Sequence, residues 1–266
     1  MRVVAILAAH NEERFIGGCI SRFAAQGVET YLIDDGSKDA TVEIARSHEG
    51  RGLIGLEQRS RTGVYSWHPI LERKEELARE LDADWFIHAD PDEVRLPPPG
   101  HETLVDALAF AEECGANAVN FFEFTFVPTL EDPDHDHPNF MRSMLSYYPF
   151  LPWFPHRLNA WKRQERPVDL ATSGGHAVAF PGIRMHPVSF PMRHYLFLSR
   201  PHAVEKYVRK VYDPAEVKQG WHGSRAWVRP EEIRLPSRAE LRYYRGGGEL
   251  ERSAPLLSHP SFPDQT

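Results

Sequence analysis

The sequence has little cysteine and no long apolar run. Its two cysteines, Cys19 and Cys114, are too few for the disulfide framework of a small secreted protein, and they suit a reducing cytoplasm. The N-terminal apolar run, Val3–Ala9, lacks the features of a signal peptide. It is also far shorter than the roughly 20 residues that a membrane span needs. We therefore expect a cytoplasmic protein without a transmembrane segment, and peripheral attachment to a membrane stays open.

A basic block and a glycine-rich phosphate loop are also missing. The net charge is −7 and no stretch of lysines and arginines stands out, so nucleic acid is not an expected partner. The loop after the first apolar run reads AAHNEER, which is not the glycine-rich, basic phosphate loop that a nucleotidyltransferase needs. The glycines of FIGGC lie within a helical pattern and not in a Gly-x-Gly-x-x-Gly turn, which argues against a dinucleotide-dependent dehydrogenase.

The first half of the chain alternates between short apolar runs and amphipathic stretches. The apolar runs predict strands, and the stretches with helical spacing predict helices. Strands are expected at residues 3–9, 30–33, 53–58, 85–89 and 119–127, and helices at residues 14–26, 40–47, 70–81 and 102–114. This order predicts an α/β fold with a mostly parallel central sheet and right-handed crossovers.

The pattern loosens after about residue 128. A strand is expected at residues 178–180 and a helix at residues 202–212. From about residue 253 proline and serine are frequent, which predicts a poorly ordered tail.

Polar clusters follow three of the predicted strands, at residues 10–13, 34–39 and 88–93. In an open α/β sheet, ligands bind outside the carboxyl ends of the strands. Because parallel strands end on one edge of the sheet, we expect the three clusters to lie on that edge and to form the functional site.

The third cluster, in WFIHADPDEV, places Asp90 and Asp92 two residues apart directly after a strand. Two such carboxylates can hold a hard divalent cation, Mn²⁺ or Mg²⁺, that neutralises charge on a diphosphate leaving group. Without a cation, Asp90, Asp92 and Glu93 are expected to raise one another's pKa values and to destabilise the fold. The pattern therefore predicts a metal site, with Glu93 turned toward the protein or the acceptor.

Two segments together resemble a known family. AILAAHNEERFIGGCISRFAAQGVETYLIDDGSKDATVEIA resembles the opening of a family 2 glycosyltransferase with the GT-A fold. DADWFIHADPDEV resembles the Asp-x-Asp motif of that fold in the form Asp-x-Asp-Glu. The order, spacing and strand context of both segments match over about residues 3–95, and the resemblance extends more loosely to about residue 210.

The resemblance implies an α/β/α sandwich and a hexosyltransferase-type enzyme. A catalytic domain is expected over residues 1–210, with a nucleotide-binding half at 1–95 and an acceptor half at 96–210, and residues 211–266 form a C-terminal extension. The enzyme would use Mn²⁺ or Mg²⁺ to move a sugar, with inversion, from a UDP-, GDP- or dTDP-linked donor. The acceptor would be a hydroxyl of a glycan, a lipid-linked molecule or a small molecule.

The resemblance also implies roles for particular residues. The nucleotide and donor sugar are expected to contact Ala8, His10, Glu12, Asp34, Asp35, Arg73, Asp90 and His176. Asp35 is favoured over Asp34 for the base and ribose, and Asp90 and Asp92 are expected to hold the metal.

A late histidine often completes the metal ligands in this fold. The segment MRHYLFLSRPHAVEKYVRK resembles one branch of these enzymes and indicates His194 as that ligand. His176 in SGGHAVAF is the alternative, because Gly174 and Gly175 would let the backbone approach a ligand closely.

An inverting transfer also needs a carboxylate that takes the proton of the acceptor hydroxyl. Asp169, shortly before SGGH, is one candidate base. Glu123 is the other, because alternation along its strand puts it on a different face from Phe122 and Phe124. Glu123 is alternatively a paired strand residue, so the choice of base stays open.

Two other functions fit part of the pattern. A strand followed by Asp90-x-Asp92 also fits the nucleophile motif of haloacid-dehalogenase-type phosphatases, which need a later acidic pair at a strand end. The later pairs, at residues 112–113, 131–132 and 231–232, do not follow apolar strands. A non-catalytic sugar-nucleotide-binding protein is the second alternative, and the intact Asp-x-Asp motif makes it less favoured.

Overall fold

The computed structural model of the protein describes residues 1–61 and 63–263, and its elements follow the predicted alternation. Within these residues the strands are β1 (Val3–Ala9), β2 (Val28–Asp34), β3 (Leu53–Gln58), β4 (Trp85–Ala89), β5 (Glu93–Arg95), β6 (Ala118–Phe126), β7 (Ser146–Phe150), β8 (Leu158–Lys162), β9 (Phe190–Tyr195) and β10 (Arg242–Tyr243). The α-helices are α1 (Ile16–Ala25), α2 (Thr41–Arg46), α3 (His68–Glu80), α4 (Leu104–Glu113), α5 (Phe140–Ser143), α6 (Arg200–Ala203) and α7 (Pro214–Lys218). A π-helical turn, Val204–Val208, directly continues α6.

The chain divides into two compact units. Among the described residues, unit 1 comprises 1–61, 67–122 and 155–192, and unit 2 comprises 63–66, 123–154 and 193–263. The first residues of β6 and β9 belong to unit 1 and their last residues to unit 2. The predicted functional division at residue 210 stays a prediction.

The sheet of unit 1 contains the predicted parallel strands. Its order is β3-β2-β1-β4-β8-β6. β1 pairs in parallel with β2 and β4, and β2 pairs in parallel with β3, whereas β8 is antiparallel to β4 and β6. Every residue of β1 is buried, as a continuous apolar run predicts for a strand covered on both faces. The predicted fold class, α/β with a mostly parallel central sheet, is confirmed.

Helices α1 and α4 cover this sheet with regularly spaced apolar side chains. The buried residues of α1 are Ile16, Cys19, Ile20 and Phe23, and those of α4 are Leu104, Ala107, Leu108 and Ala111. Both sets follow the i, i+3, i+4, i+7 spacing of one helix face. They join side chains of β1, β2 and β4 in a single core. The packing of these helix faces on the buried strands fixes the position of the sheet edge.

Unit 2 is built from antiparallel pairs. β7 pairs with the last residues of β6 and with β10, and β9 also pairs with β6. The core of this unit gathers side chains from several elements, among them Val127, Phe150, Phe197, Tyr207 and Phe262.

Two predicted elements are wrong in extent. Residues 178–180 form no strand, because Ala179 makes only a single bridge, to Asp169, before the turn at residues 181–182. The helix expected over residues 202–212 begins at Arg200 and ends with the π-helical turn at Val208. Beyond that turn the chain pairs with residue 65 and leaves the helix: the carbonyl of Val211 accepts the N–H of Tyr65, and Tyr212 forms a bridge with Tyr65.

The C-terminal segment, here residues 253–263, packs onto unit 2. Leu256 pairs with Phe150, and the ring of Phe262 lies 5.1 Å from that of Tyr207 and 6.2 Å from that of Phe197. The apolar side chains between the prolines and serines thus pack into a core, and the prediction of a poorly ordered tail stays a prediction. Residues 264–266 of that tail lie outside the described residues.

We predict that Phe262→Ala lowers the free energy of unfolding by about 3–5 kcal/mol, because its side chain is 7% exposed and belongs to the core of unit 2. Leu257→Ala is the matched control: that side chain is 70% exposed. Its expected effect is below about 0.5 kcal/mol. Urea denaturation measures both variants. If the two variants were equally stable, the C-terminal segment would not contribute to the core of unit 2.

Candidate functional site

The candidate site begins at the carboxyl ends of β1, β2 and β4 in unit 1. In the parallel register Ala9 of β1 pairs with Asp34 of β2, and Leu7 of β1 pairs with Ala89 of β4. The polar segments that follow the three strands therefore leave the sheet on the same edge, as the sequence predicts. Ala8 is 8% exposed within this edge.

The loops after β1 and β2 are joined by hydrogen bonds. His10 Nδ1 lies 2.9 Å from the carbonyl oxygen of Asp35, and a carbonyl only accepts, so Nδ1 carries the proton. Asn11 Nδ2 then donates to His10 Nε2 at 3.3 Å. Asn11 has a φ of 56°, which asparagine tolerates better than most residues. It also binds Ser37 and the N–H of Lys38, so its conformation fixes the loop.

Glu12 begins α1. Its N–H donates to Thr41 Oγ1 at 2.7 Å, and its carbonyl accepts from the N–H groups of Phe15 and Ile16. The backbone of Glu12 thus connects the start of α1 to the start of α2.

The two aspartates at the end of β2 have different surroundings. Asp34 is fully buried and accepts hydrogen bonds from the N–H of Ser37 and from Gln58 Nε2. Asp35 is 8% exposed, and its Oδ2 lies 3.7 Å from Arg61 Nη1. Within the described residues Oδ2 of Asp35 accepts no hydrogen bond. Asp34 therefore holds the loop, whereas Asp35 keeps an acceptor that a ligand can engage.

The acidic turn after β4 is neutralised in part by the protein itself. Glu93 Oε2 lies 2.6 Å from Arg95 Nη2, and Glu93 Oε1 lies 3.6 Å from Arg157 Nη1. Glu93 also accepts the N–H of Asp90 at 3.1 Å. Burial, together with the charge of Glu93, raises the pKa of Asp90, and Asp92 is 5% exposed. Glu93 is turned into the protein, as expected, and leaves Asp90 and Asp92 as the candidate ligands.

Lys74 on α3 is the third cation near this turn, and the sequence reasoning missed it. It is fully buried, its Nζ lies 3.0 Å from His88 Nδ1, and it donates to the carbonyl of Ala89 at 3.3 Å. Burial lowers the pKa of Lys74 to about 8, although Asp90 and Glu93 oppose that shift. The pKa of His88 is far below its ordinary value, because of burial and the charge of Lys74. His88 is therefore neutral, and its Nδ1 accepts from Lys74.

The glycine pair at 174–175 packs over the same region. Gly175 has a φ of 87°, and a Cβ added to it would lie 3.0 Å from Leu71, 3.2 Å from His88 Nε2 and 3.3 Å from Trp67 Nε1. Trp67 Nε1 donates to the carbonyl of Gly174 at 2.9 Å. The close approach that the sequence indicates is thus an approach to α3 and β4.

His176 follows this glycine pair. Its ring stacks on that of His156 with centroids 4.7 Å apart. Asn159 Nδ2 donates to the carbonyl oxygens of Gly175 and His176, at 2.9 and 3.3 Å. His176 also lowers the pKa of His88, which places it beside the residues under the acidic turn. Its donor-binding role stays a prediction.

Arg73 does not have the surroundings expected of a donor-binding residue. Its guanidinium contacts Glu57 at 3.0 Å, Glu76 at 2.9 Å and Glu80 at 2.9 Å. Hydrogen bonds to Glu80 and Glu57 raise its pKa. A contact with a donor would require these ion pairs to open, so the geometry favours a structural role for Arg73.

The two predicted bases lie in different units. In unit 1, Asp169 is partly buried and its Oδ1 accepts the N–H of Thr172 at 2.9 Å. In unit 2, Glu123 is 1% exposed, and its Oε1 contacts His194 Nδ1 at 2.7 Å and accepts from Thr125 Oγ1 at 2.8 Å. The alternative interpretation of Glu123 as a paired strand residue describes this geometry.

A preformed metal cage is not part of the described structure. In residues 1–61 and 63–263 no group of three or more His, Cys, Asp or Glu side chains is placed to hold an ion. The same part of the chain has no helix that is long and apolar enough to cross a membrane.

An α/β unit with acidic turns on the carboxyl edge of its parallel sheet belongs to the class of folds that bind ligands at that edge. The sequence model described as Glycosyl transferase family 2 matches residues 4–66, a segment that contains β1, β2, β3 and the loops described above. This match bears out the predicted resemblance to the family 2 glycosyltransferases over residues 4–66. The comparison with curated proteins found no match.

Solved structures show partial likeness. TarS 1–349 of S. aureus in complex with UDP has 14% identity and a TM-score of 0.46, over 87% of this chain and 77% of that chain. A second structure of S. aureus TarS has 14% identity and a TM-score of 0.45, over 77% of this chain and 39% of that chain. Glucosyl-3-phosphoglycerate synthase of Mycobacterium tuberculosis, in complex with Mn²⁺, UDP and glucosyl-3-phosphoglycerate, has 21% identity and a TM-score of 0.32, over 46% of this chain and 44% of that chain. This chain thus spans about two fifths of the length of the TarS chain in the second structure, and TM-scores this low define no shared substrate.

We predict that Lys74→Met removes a pH dependence of stability. The Lys74 pKa is about 8 in the folded protein and 10.5 ordinarily. Between these values the unfolded chain binds more protons, so the free energy of unfolding rises with pH. The difference between these two pKa values corresponds to about 3 kcal/mol in the free energy of unfolding. Urea denaturation at several pH values from about 7 to about 11 measures the difference between wild type and variant.

Lys218→Met is the control for this experiment, because Lys218 is exposed. We expect its stability to run parallel to that of wild type at every pH. If the free energy of unfolding of Lys74→Met also runs parallel to that of wild type at every pH, burial does not lower the pKa of Lys74.

Proposed function

We propose that the protein transfers a sugar from a nucleoside diphosphate-sugar to a hydroxyl group of a glycan, a lipid-linked acceptor or a small molecule. One observation carries the proposal: Asp35 and the Asp90–Asp92 turn leave the two strands that flank β1, on one edge of a sheet whose first three strands lie within the matched family segment.

The nucleotide would bind beside β1 and β2. The buried Oδ2 of Asp35 is an acceptor without a hydrogen bond among the described residues, and the N–H groups of a base and the hydroxyls of a ribose are donors. His10 is held against the Asp35 backbone in a single tautomer, so the wall of this pocket is rigid. Ala8 leaves room next to them because its side chain is small. UDP, GDP and dTDP all offer these donors.

A divalent cation fits the turn after β4. Asp90 and Asp92 supply hard oxygen ligands, and Mn²⁺ and Mg²⁺ are commonly held by one or two carboxylates together with substrate phosphates. The lack of a three-ligand cage in the described residues fits a cation that arrives with the diphosphate. When bound, the cation would neutralise charge that develops on the leaving diphosphate. When no cation is bound, Lys74 and Arg95 offset part of the negative charge of these carboxylates.

The role of His194 as an additional metal ligand stays a prediction, because His194 belongs to unit 2 and the Asp90–Asp92 turn to unit 1. Its Nδ1 lies 2.7 Å from Glu123, and a histidine that donates Nδ1–H to a carboxylate keeps Nε2 as its acceptor atom. Metal-binding histidines commonly have such a carboxylate partner. Glu123 would then orient His194.

The base that remains is Asp169. We propose that its carboxylate takes the proton of the acceptor hydroxyl while the oxygen attacks the anomeric carbon and the nucleoside diphosphate leaves from the opposite side, with inversion. The proton moves from the hydroxyl to Asp169, and the leaving group keeps the electron pair of the broken bond.

We predict that the protein binds one of UDP, GDP and dTDP in the presence of Mn²⁺, and that Asp92→Asn weakens this binding at least about tenfold. Asp35→Ala should weaken it by a similar factor because it removes hydrogen bonds to a charged acceptor, each worth about 1.5–3 kcal/mol. Asp82→Asn, whose side chain is 95% exposed, is the control and should leave affinity unchanged. Isothermal titration calorimetry with each nucleotide measures all three variants.

The outcomes separate the alternatives. Binding without transfer to any acceptor in a glycan and lipid panel would indicate a non-catalytic sugar-nucleotide-binding protein. Release of phosphate from an aryl phosphate, with no nucleotide binding, would indicate a phosphatase and would overturn the proposal.

A further inference from the structure

The glycine pair and the histidine that follows it are held by side chains from two other elements of unit 1. The carbonyl of Gly174 accepts a hydrogen bond at 2.9 Å from Nε1 of Trp67, which lies just before α3. The carbonyls of Gly175 and His176 both accept from Asn159 Nδ2 on β8, at 2.9 and 3.3 Å. The two glycines have φ angles of 65° and 87°, which other residues rarely adopt. Side-chain donors and glycine thus fix the path of this backbone together.

The amide of Asn159 can take only one orientation. Its side chain is fully buried, and Nδ2 faces two carbonyl oxygens, which only accept hydrogen bonds. Oδ1 lies 3.4 Å from Arg95 Nη2, and a guanidinium only donates. If the two ends of the amide were exchanged, an acceptor would face two acceptors and a donor would face a cation. The surroundings therefore fix Nδ2 toward the glycine pair.

Arg95 connects Asn159 to the acidic turn after β4. Its Nη2 lies 2.6 Å from Glu93 Oε2 and 2.7 Å from the carbonyl oxygen of His88. These two short contacts use the two hydrogens of Nη2, and the charge of the guanidinium attracts the more distant Oδ1 of Asn159. Glu93 Oε2 also accepts the N–H of Asp90 at 3.1 Å. One buried cation thus faces both the turn and the amide.

The glycine pair also lies against the strand that carries this turn. A Cβ added to Gly175 would lie 3.2 Å from Nε2 of His88, which is two residues before Asp90. Directly after His176, Ala177 forms a bridge with Leu158 of β8. Side chain and backbone of β8 therefore both hold this part of the chain against the end of β4. All of these residues belong to unit 1.

We propose that Asn159 is a positioning residue of the donor site. It holds the backbone of Gly175 and His176 at a fixed distance from the Asp90–Asp92 turn, and Arg95 sets the orientation of its amide. The consequence for donor binding rests on the proposed function, in which His176 contacts the donor and the turn binds its diphosphate through a cation. The hydrogen bonds of Asn159 do not depend on that function.

Asn159→Asp tests these hydrogen bonds. The carboxylate keeps the shape of the side chain and an acceptor near Arg95, but it presents an acceptor to two carbonyls, so we expect the glycine pair to move away from β8. The indole N–H of Trp67 reports the movement in ¹H–¹⁵N NMR spectra, with its signal assigned from Trp67→Phe. Loss of its hydrogen bond to Gly174 should shift the indole proton upfield and speed its exchange with solvent.

Two further variants accompany this one. Asn159→Leu is similar in size and donates no hydrogen bond, so it should shift the Trp67 signal in the same direction. Asn117→Asp is the matched control, because Asn117 is also a buried asparagine of unit 1: its Nδ2 donates to the carbonyl of Gly182 at 3.0 Å and its Oδ1 accepts the N–H of Arg184 at 2.6 Å. That variant loosens a different turn and should leave the Trp67 signal unchanged.

The consequence for the donor site is measured by titration with UDP, GDP and dTDP in the presence of Mn²⁺. Asn159→Asp and Asn159→Leu should each weaken binding at least about tenfold, as loss of outer support for a ligand site commonly does. Asn117→Asp should bind as wild type does. Urea denaturation of all variants separates the two roles: a merely structural asparagine would lower stability at either position without lowering affinity.

The proposal is overturned if the Trp67 signal is unchanged in both Asn159 variants, even where sugar transfer is established. It is also overturned if the signal shifts and both variants bind nucleotide as tightly as wild type. If the signal shifts as expected and wild type binds none of the three nucleotides, the hold of Asn159 on the backbone stands and the proposed function fails.

Discussion

Burial of carboxylates at the end of β4 depends on cations buried with them. Removing a carboxylate from water is costly unless the group is paired and hydrogen-bonded. Here Arg95 and Arg157 meet Glu93 on opposite oxygens, and Lys74 raises the positive charge beneath the turn. Clustered carboxylates therefore do not by themselves require a metal. The protein balances much of the charge, and what speaks for a cation is the position of the half-buried Asp90 on the ligand-binding edge.

Strand ends and helix faces could be predicted because their signals are local. The boundaries of β1, β3 and β4 agree with the predicted ones, since short apolar runs bounded by polar residues leave little choice. For Lys74 the spacing of apolar residues along the helix predicts burial, although the sequence analysis did not single this residue out. On α3 it lies three residues from Leu71 and three from Leu77, both buried, so the 3.6-residue period places it on the inner face. Arg73 is one residue, or about 100°, away and reaches the surface carboxylates instead.

The pairing of Glu123 with His194 could not be predicted in the same way. The two residues are 71 positions apart, and they meet because β9 adds to β6. β9 carries Pro191 and has alternating burial, so its sequence gives little sign of a strand. The contacts of the tail could not be predicted for a related reason: its frequent prolines and serines hide the few apolar side chains, Leu256 and Phe262 among them, that pack against unit 2. Composition reports the average of a segment, whereas packing depends on single positions.

The two units stabilise buried carboxylates by different means, and this has a chemical consequence. In unit 1 Glu93 faces guanidinium groups, so its charge is cancelled within the protein. In unit 2 Glu123 accepts a hydrogen bond from the Thr125 hydroxyl and lies 2.7 Å from His194 Nδ1. A hydroxyl supplies a dipole and no charge. A carboxylate beside Nδ1 favours the tautomer of His194 in which Nδ1 carries the proton, so the pairing in unit 2 fixes the orientation of a ring.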